Sequence, residues 1–175
     1  FARQPPWCLA IMLLLVSCGP SHNEPREGDL IDSYAWQSVP LAEDPFAQWA
    51  TEESTCDERG VKFEEGVLEI DTGLCDYYSG RQPIAMSIRQ AGTLTWLIYH
   101  SALASTEPGL GYVALQVGDT LVFEREVPIP FSSQVYGGRI DVDFEAPAGT
   151  PAYFHVHNHG ANSWRMAHLR LNEAP

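Results

Sequence analysis

The sequence predicts an all-β domain, a jelly-roll-like β-sandwich of about nine strands. Three observations predict it. Apolar and polar residues alternate with period 2 at several places after residue 60. Gly, Pro and Asn cut that alternation into short segments, and a single stretch has any helical character. The cleanest alternation is Arg139-Ile140-Asp141-Val142-Asp143-Phe144-Glu145, apolar at every even position and charged at every odd one. Such a strand packs one face and wets the other.

Taken in order, Ala42 to Thr51 holds the one short helix, limited by Pro45. Val61 to Asp71 reads as a hairpin. Val61 and Phe63 lie on one arm, Glu64-Glu65-Gly66 forms the turn, and Val67 to Ile70 forms the return. Ile84, Met86 and Ile88 alternate as a strand. Thr93 to His100 is a more continuous apolar run, suited to a central strand. Tyr112 to Val117 and Thr120 to Val127 flank Gly118-Asp119, a tight hairpin turn. Tyr153 to Asn158 and Trp164 to Leu171 close the series. No repeat of fixed period is present.

A chain of 175 residues holds one domain with a sizeable core. Its 45% hydrophobic content excludes a disordered chain. The 23 acidic residues against 10 Lys and Arg, a net charge of −13, exclude a nucleic-acid partner, whose phosphates require clustered cations. With Lys62 the single lysine, a basic patch for anionic lipid is excluded too.

Leu9 to Val16 is an uninterrupted apolar run, preceded by Arg3 and followed by small or polar residues. It is far short of the roughly 20 residues that span a bilayer, so residues 1–17 read as a secretory signal peptide. Leu15-Val16-Ser17-Cys18-Gly19 resembles the lipobox of bacterial lipoproteins. The resemblance implies that Cys18 is the first mature residue, with a diacylglyceryl group on its thiol and an acylated amine. At about 0.8 kcal/mol per buried CH₂, several chains moor far better than one. The implied partner is a lipid bilayer and the implied address the cell envelope; Gly19 after the Cys implies the outer membrane. Residues 18–29 contain no aliphatic side chain and two prolines, and read as a solvated tether that includes His22. The folded domain is then 30–175.

Cys8 belongs to the signal and Cys18 to the lipid, which leaves Cys56 and Cys75 for a disulfide in an oxidising compartment. The midpoint of positions 56 and 75 is 65.5, on the turn of the Val61–Asp71 hairpin. Residues symmetric about a hairpin turn face each other. Closing such a loop contributes about 3 kcal/mol in the chain-entropy model. A metal site on these cysteines lacks any Cys-x-x-Cys partner.

Tyr153-Phe154-His155-Val156-His157-Asn158-His159 is the one segment that suggests chemistry. On a strand, Phe154 and Val156 share the core face, while Tyr153, His155 and His157 share the other, with His159 next in line. Three readings stay open. His155 and His157, about 6.6 Å apart at Cα, can tilt onto one Zn or Cu ion; His159, about 13 Å from His155 along a straight strand, joins only if the chain bends. Otherwise His100 or His168 must supply the third ligand. In the second reading the rings of Tyr153, His155, His157 and Trp164 stack on a sugar while Asn158 or Asn162 bonds its hydroxyls. In the third the stripe merely covers a sheet, and Asn158, Gly160 and Asn162 make a turn.

Two further resemblances bear on the segment. Gly149, five intervening residues and His155-x-His157 are similar to the opening of the cupin motif, which implies a metal-binding β-barrel with oxygenase or isomerase chemistry. Where that motif calls for a Glu, Ala161 and Asn162 stand, and no second motif follows. Ala146 to Leu171, with Ala-Pro-Ala-Gly-Thr before an apolar strand and a final Trp strand, resembles the last hairpin of galactose-binding-like sandwiches.

Other candidates are thinner. Trp96, Tyr99 and His100 end a strand, and Tyr77-Tyr78 follow Cys75. Glu52-Glu53, Asp57-Glu58 and Glu64-Glu65 lack a calcium-loop pattern. Glu107 and Asp119 are nameable as a glycosidase pair without any motif behind them. Ser101, Ser132 and Ser133 have no Gly-x-Ser-x-Gly context. The expectation is an envelope lipoprotein with a non-catalytic binding sandwich, carbohydrate or another envelope component its partner. The alternatives are a Zn or Cu protein, and a purely structural component.

Overall fold

Two antiparallel sheets of five strands face each other in the computed structural model, which describes residues 28–172. The signal segment, Cys18 and the tether up to residue 27 lie outside the described residues. The first sheet runs β1 (Gln37–Ser38), β4 (Tyr77–Pro83), β9 (Pro151–His157), β6 (Gly109–Val117), β7 (Thr120–Ile129). The second runs β2 (Val61–Glu64), β3 (Val67–Asp71), β10 (Ser163–Asn172), β5 (Thr93–His100), β8 (Gln134–Asp141). This is a jelly-roll β-sandwich. Its core fills the space between the layers, with Leu68, Ile98, Leu115, Phe154 and Trp164 fully buried. Among the described residues no helix is long and apolar enough to cross a membrane.

The hairpin forms about the expected centre. Val61 pairs with Ile70 and Glu64 with Val67. Glu65 and Gly66 both take positive φ, 52° and 78°, as a two-residue turn matching the strand twist requires. Cys56 and Cys75 form the next bridge outward about the same centre and are joined by a disulfide. In β8 and beyond, the even positions pack and the odd ones meet solvent: Val142 is buried while Asp141, Asp143 and Glu145 are exposed.

Four details differ from the sequence reading. Ile84 to Ile88 is not a strand. Ile84 and Ile88 are buried but Met86 is exposed, and of these only Ile88 makes a bridge, to Ala146. The strand of this region is β4, which runs up to Pro83. The helix expected over Ala42 to Thr51 is two single 3₁₀ turns, Leu41–Glu43 and Ala47–Trp49, with Pro45 between them. The tenth strand, β1, has only two residues, too few to show a period. Gly28 and Asp29, assigned to the tether, lie on β10: the Gly28 carbonyl accepts from the Leu171 amide at 2.8 Å, and Asp29 pairs with Arg170 at 2.5 Å.

Trp96 of β5 lies across β8 at Gly138, where a Cβ would sit 1.9 Å from the indole. The glycine makes room for the ring.

Candidate functional site

The outer face of the first sheet is built from rows of cross-strand partners. Tyr77 of β4, His157 of β9 and Tyr112 of β6 form one row; Ser79, His155 and Ala114 the next; Arg81, Tyr153 and Gln116 the third. Their neighbours Phe154 and Val156 point the other way and are fully buried in the core. The face is aromatic and polar, as the alternation in β9 requires.

It is not open. Residues 41–51 cross it as a strap. The Phe46 ring stacks on His155 at 4.8 Å, and Trp49 stacks on Tyr112 at 4.5 Å. The Tyr77 hydroxyl donates to the Asp44 carboxylate at 2.5 Å, and the Arg81 guanidinium donates to Glu43 at 2.6 Å. Alternation told which way His155 points but not what lies above it. Its exposure is 0%.

Beneath the strap, Nδ1 of His155 shares a hydrogen bond of 2.7 Å with the Ser79 hydroxyl, while Nε2 is buried with no hydrogen-bond partner among the described residues. Burial, helped by His157, pushes the imidazole down to about 3. A serine and a histidine at this distance outline a nucleophile and base. A base in that range accepts no proton from a hydroxyl near neutral pH, and no carboxylate orients the second nitrogen.

His157 is half-buried, its Nδ1 without a hydrogen-bond partner among the described residues and its ring edge-on to His159 at 5.0 Å. Burial lowers it first and His159 second, against the pull of Asp76. His159 is exposed. His100 and His168 belong to the second sheet, on β5 and β10. His100 packs its ring 4.5 Å from Trp164; Nδ1 bonds the Ser101 carbonyl at 2.6 Å and Nε2 the Tyr136 hydroxyl at 3.1 Å. Burial lowers it as well. The convergence that a Zn or Cu site needs is therefore not formed. Among the described residues no three His, Cys, Asp or Glu side chains are grouped to hold an ion. His155 is sealed under Phe46, and the helper histidines lie in the other layer.

The remaining candidates of the strand are committed to structure. Asn158 is fully buried, its amide donating to the Thr72 hydroxyl at 2.8 Å. Asn162 accepts from the Ala104 amide at 2.6 Å and donates to the Ala104 carbonyl at 3.3 Å. Trp164 is fully buried between the sheets. Tyr153, half-buried, borders a shallow concavity of about 470 Å³ beside the strap.

A larger cleft, of about 600 Å³, opens where the sheets part, between β1 and β4 on one side and β2 on the other. Among the described residues, Trp36, Phe63, Tyr77 and Tyr78 border it, Phe63 exposed and Trp36 and Tyr78 buried; Ser38, Thr51, Ser54, Thr55 and Ser79 are its Ser and Thr side chains; Glu58 is its one carboxylate. Cys56 and Leu41 complete one side, so both the disulfide and the root of the strap shape it. Sequence reasoning noticed Tyr77-Tyr78 and Asp57-Glu58 separately but not the cleft. Its lining comes from several stretches that meet only through β-pairing.

No protein-family model matches the chain, and no curated protein matches it in sequence. Solved structures are similar in strand layout. The mannan-recognising carbohydrate-binding module TmCBM27 is 14% identical, with 83% of this chain and 95% of that one covered and a TM-score of 0.44. The xylan-binding module CBM15 is 10% identical, with the same coverage of 83% and 95% and a TM-score of 0.44. TmCBM61, solved with β-1,4-galactotriose, is 12% identical, with 74% and 94% covered and a TM-score of 0.43. Likenesses of this size decide nothing about a ligand.

Proposed function

We propose that this chain is a non-catalytic, ligand-holding β-sandwich of the bacterial envelope, moored by an acyl group on Cys18, with carbohydrate as its ligand class. The observation that carries the reading is the cleft of about 600 Å³ bordered by aromatic residues and by five Ser and Thr side chains. A sugar presents C–H faces that pack on rings and hydroxyls that exchange hydrogen bonds with Ser and Thr, and a volume of this order is usual for a small-molecule site. Glycoside hydrolysis needs two carboxyl groups flanking the bond, and Glu58 is the single one in the lining. Ser79, which also reaches the cleft, is hydrogen-bonded to His155, whose imidazole burial pushes down and so weakens as a base.

The test is a glycan array followed by calorimetry on the hits, with Phe63→Ala as the site variant. Phe63 is 36% exposed, so its removal spares the core. Loss of one stacking ring lowers affinity roughly five- to tenfold. Silence across the array, or unchanged binding by the variant, sinks the reading. For the anchor, mass spectrometry of the native product is decisive: an unmodified sulfur at Cys18 removes the mooring. Outer-membrane placement, which Gly19 suggests, is read by fractionation.

A further inference from the structure

We infer that the cleft takes an amino sugar, a saccharide bearing a free ammonium group, and that Glu58 selects it. The inference rests on the carbohydrate reading and narrows it. Among the described residues no Lys, Arg or His lines the cleft. An anionic sugar, whether a uronate or a phosphorylated unit, finds no counter-charge there. It also meets the Glu58 carboxylate and a chain of net charge −13.

Glu58 is free to act on a ligand. It stands in the 3₁₀ turn Glu58–Gly60, is exposed, and among the described residues forms no ion pair or side-chain hydrogen bond. The cation beside it in sequence is already committed. Arg59 donates from Nε to both oxygens of Asp57, at 3.0 and 3.2 Å, and from Nη2 at 2.7 Å. The Asp57 charge is thereby satisfied and that of Glu58 is left over. The exposed ring of Phe63 adds to this, because aromatic faces attract cations. The hydroxyls of Thr51, Ser54 and Thr55 and the size of the cleft suit a short oligosaccharide rather than a bare amine.

Four probes separate the possibilities when titrated into the full chain by calorimetry: glucosamine oligomers, N-acetylglucosamine oligomers of equal length, galacturonate oligomers, and choline. The amine form binds tighter than the acetylated form by roughly five- to thirtyfold at low salt. The margin shrinks as salt is raised. Glu58→Gln erases that margin, bringing the amine and acetylated oligomers to the same affinity. The side chain is exposed and the replacement nearly isosteric, so an unchanged thermal midpoint verifies folding. Equal affinity for amine and acetylated oligomers, or tighter binding of galacturonate, overturns the inference and leaves the carbohydrate reading standing. Choline binding as tightly as the amine oligomer overturns the saccharide part. Failure of every oligomer to bind, with neutral glycans silent too, overturns both.

Discussion

Acid should weaken this fold through one ring. His155 is neutral in the folded state, held down to about 3 chiefly by burial and next by His157, from an ordinary value of 6.5. The other groups packed around it add no opposing charge: the Tyr77 and Tyr112 hydroxyls are both pushed upward by burial and stay protonated. Between the two values the unfolded chain binds a proton that the folded chain does not. Stability from this residue is therefore fully present above pH 6.5 and falls as pH drops toward 3. At pH 5 the loss amounts to about 2 kcal/mol.

Urea denaturation at pH 7.5, 6 and 5 measures it, for the native protein and for His155→Gln, which cannot titrate there. His100 and His157 are lowered by burial too, so both proteins weaken on acidification. The native protein should weaken by about 2 kcal/mol more. Parallel pH profiles, or an NMR titration that protonates His155 above pH 5 in the folded state, would refute the reasoning.

Two further substitutions test the frame. Replacing Cys56 and Cys75 together by Ser should cost about 3 kcal/mol by urea denaturation; because Cys56 borders the cleft, glycan affinity should fall as well. Asn162→Ala leaves the amide and carbonyl of Ala104 without their present partner. A loss of about 1–3 kcal/mol follows, with faster amide exchange in the 158–163 turn.

Much of the fold was legible because strands announce themselves locally. Arg139 to Glu145 shows its two faces in the chain, and the Glu65-Gly66 turn fixes a centre from which the Cys56–Cys75 pairing follows by symmetry. The direction of each side chain in β9 was legible for the same reason. What covers a face was not. Phe46 reaches His155 across more than a hundred residues of chain, and nothing in the period of either segment encodes that meeting. Ile84, Met86 and Ile88 imitated a strand because apolar loop residues at even spacing give the same pattern, although only Ile84 and Ile88 are buried. Asn158 and Asn162 looked available to a ligand because an amide that bonds Thr72 or Ala104 reads no differently in sequence from one that bonds a sugar.

The strap and the cleft are mechanically one object, and this gives the last prediction. The strap is held by the Phe46 stack on His155, the Trp49 stack on Tyr112, the Tyr77 bond to Asp44 and the Arg81 pair with Glu43. Its two ends, Leu41 and Ala50-Thr51, are also wall of the cleft. Tyr77 joins both, its ring lining the cleft and its hydroxyl gripping Asp44. Phe46 itself lies outside the lining, yet Phe46→Ala should loosen the wall. The substitution should cost about 3 kcal/mol of stability and expose His155 to an imidazole-directed reagent such as diethyl pyrocarbonate. It should also weaken glycan binding at temperatures well below the variant's own melting point. Loss of affinity with the fold intact identifies the strap as a support for the site. Affinity equal to that of the native protein, with His155 made reactive, would show that the strap serves only to cover the sheet and that the cleft keeps its shape without it.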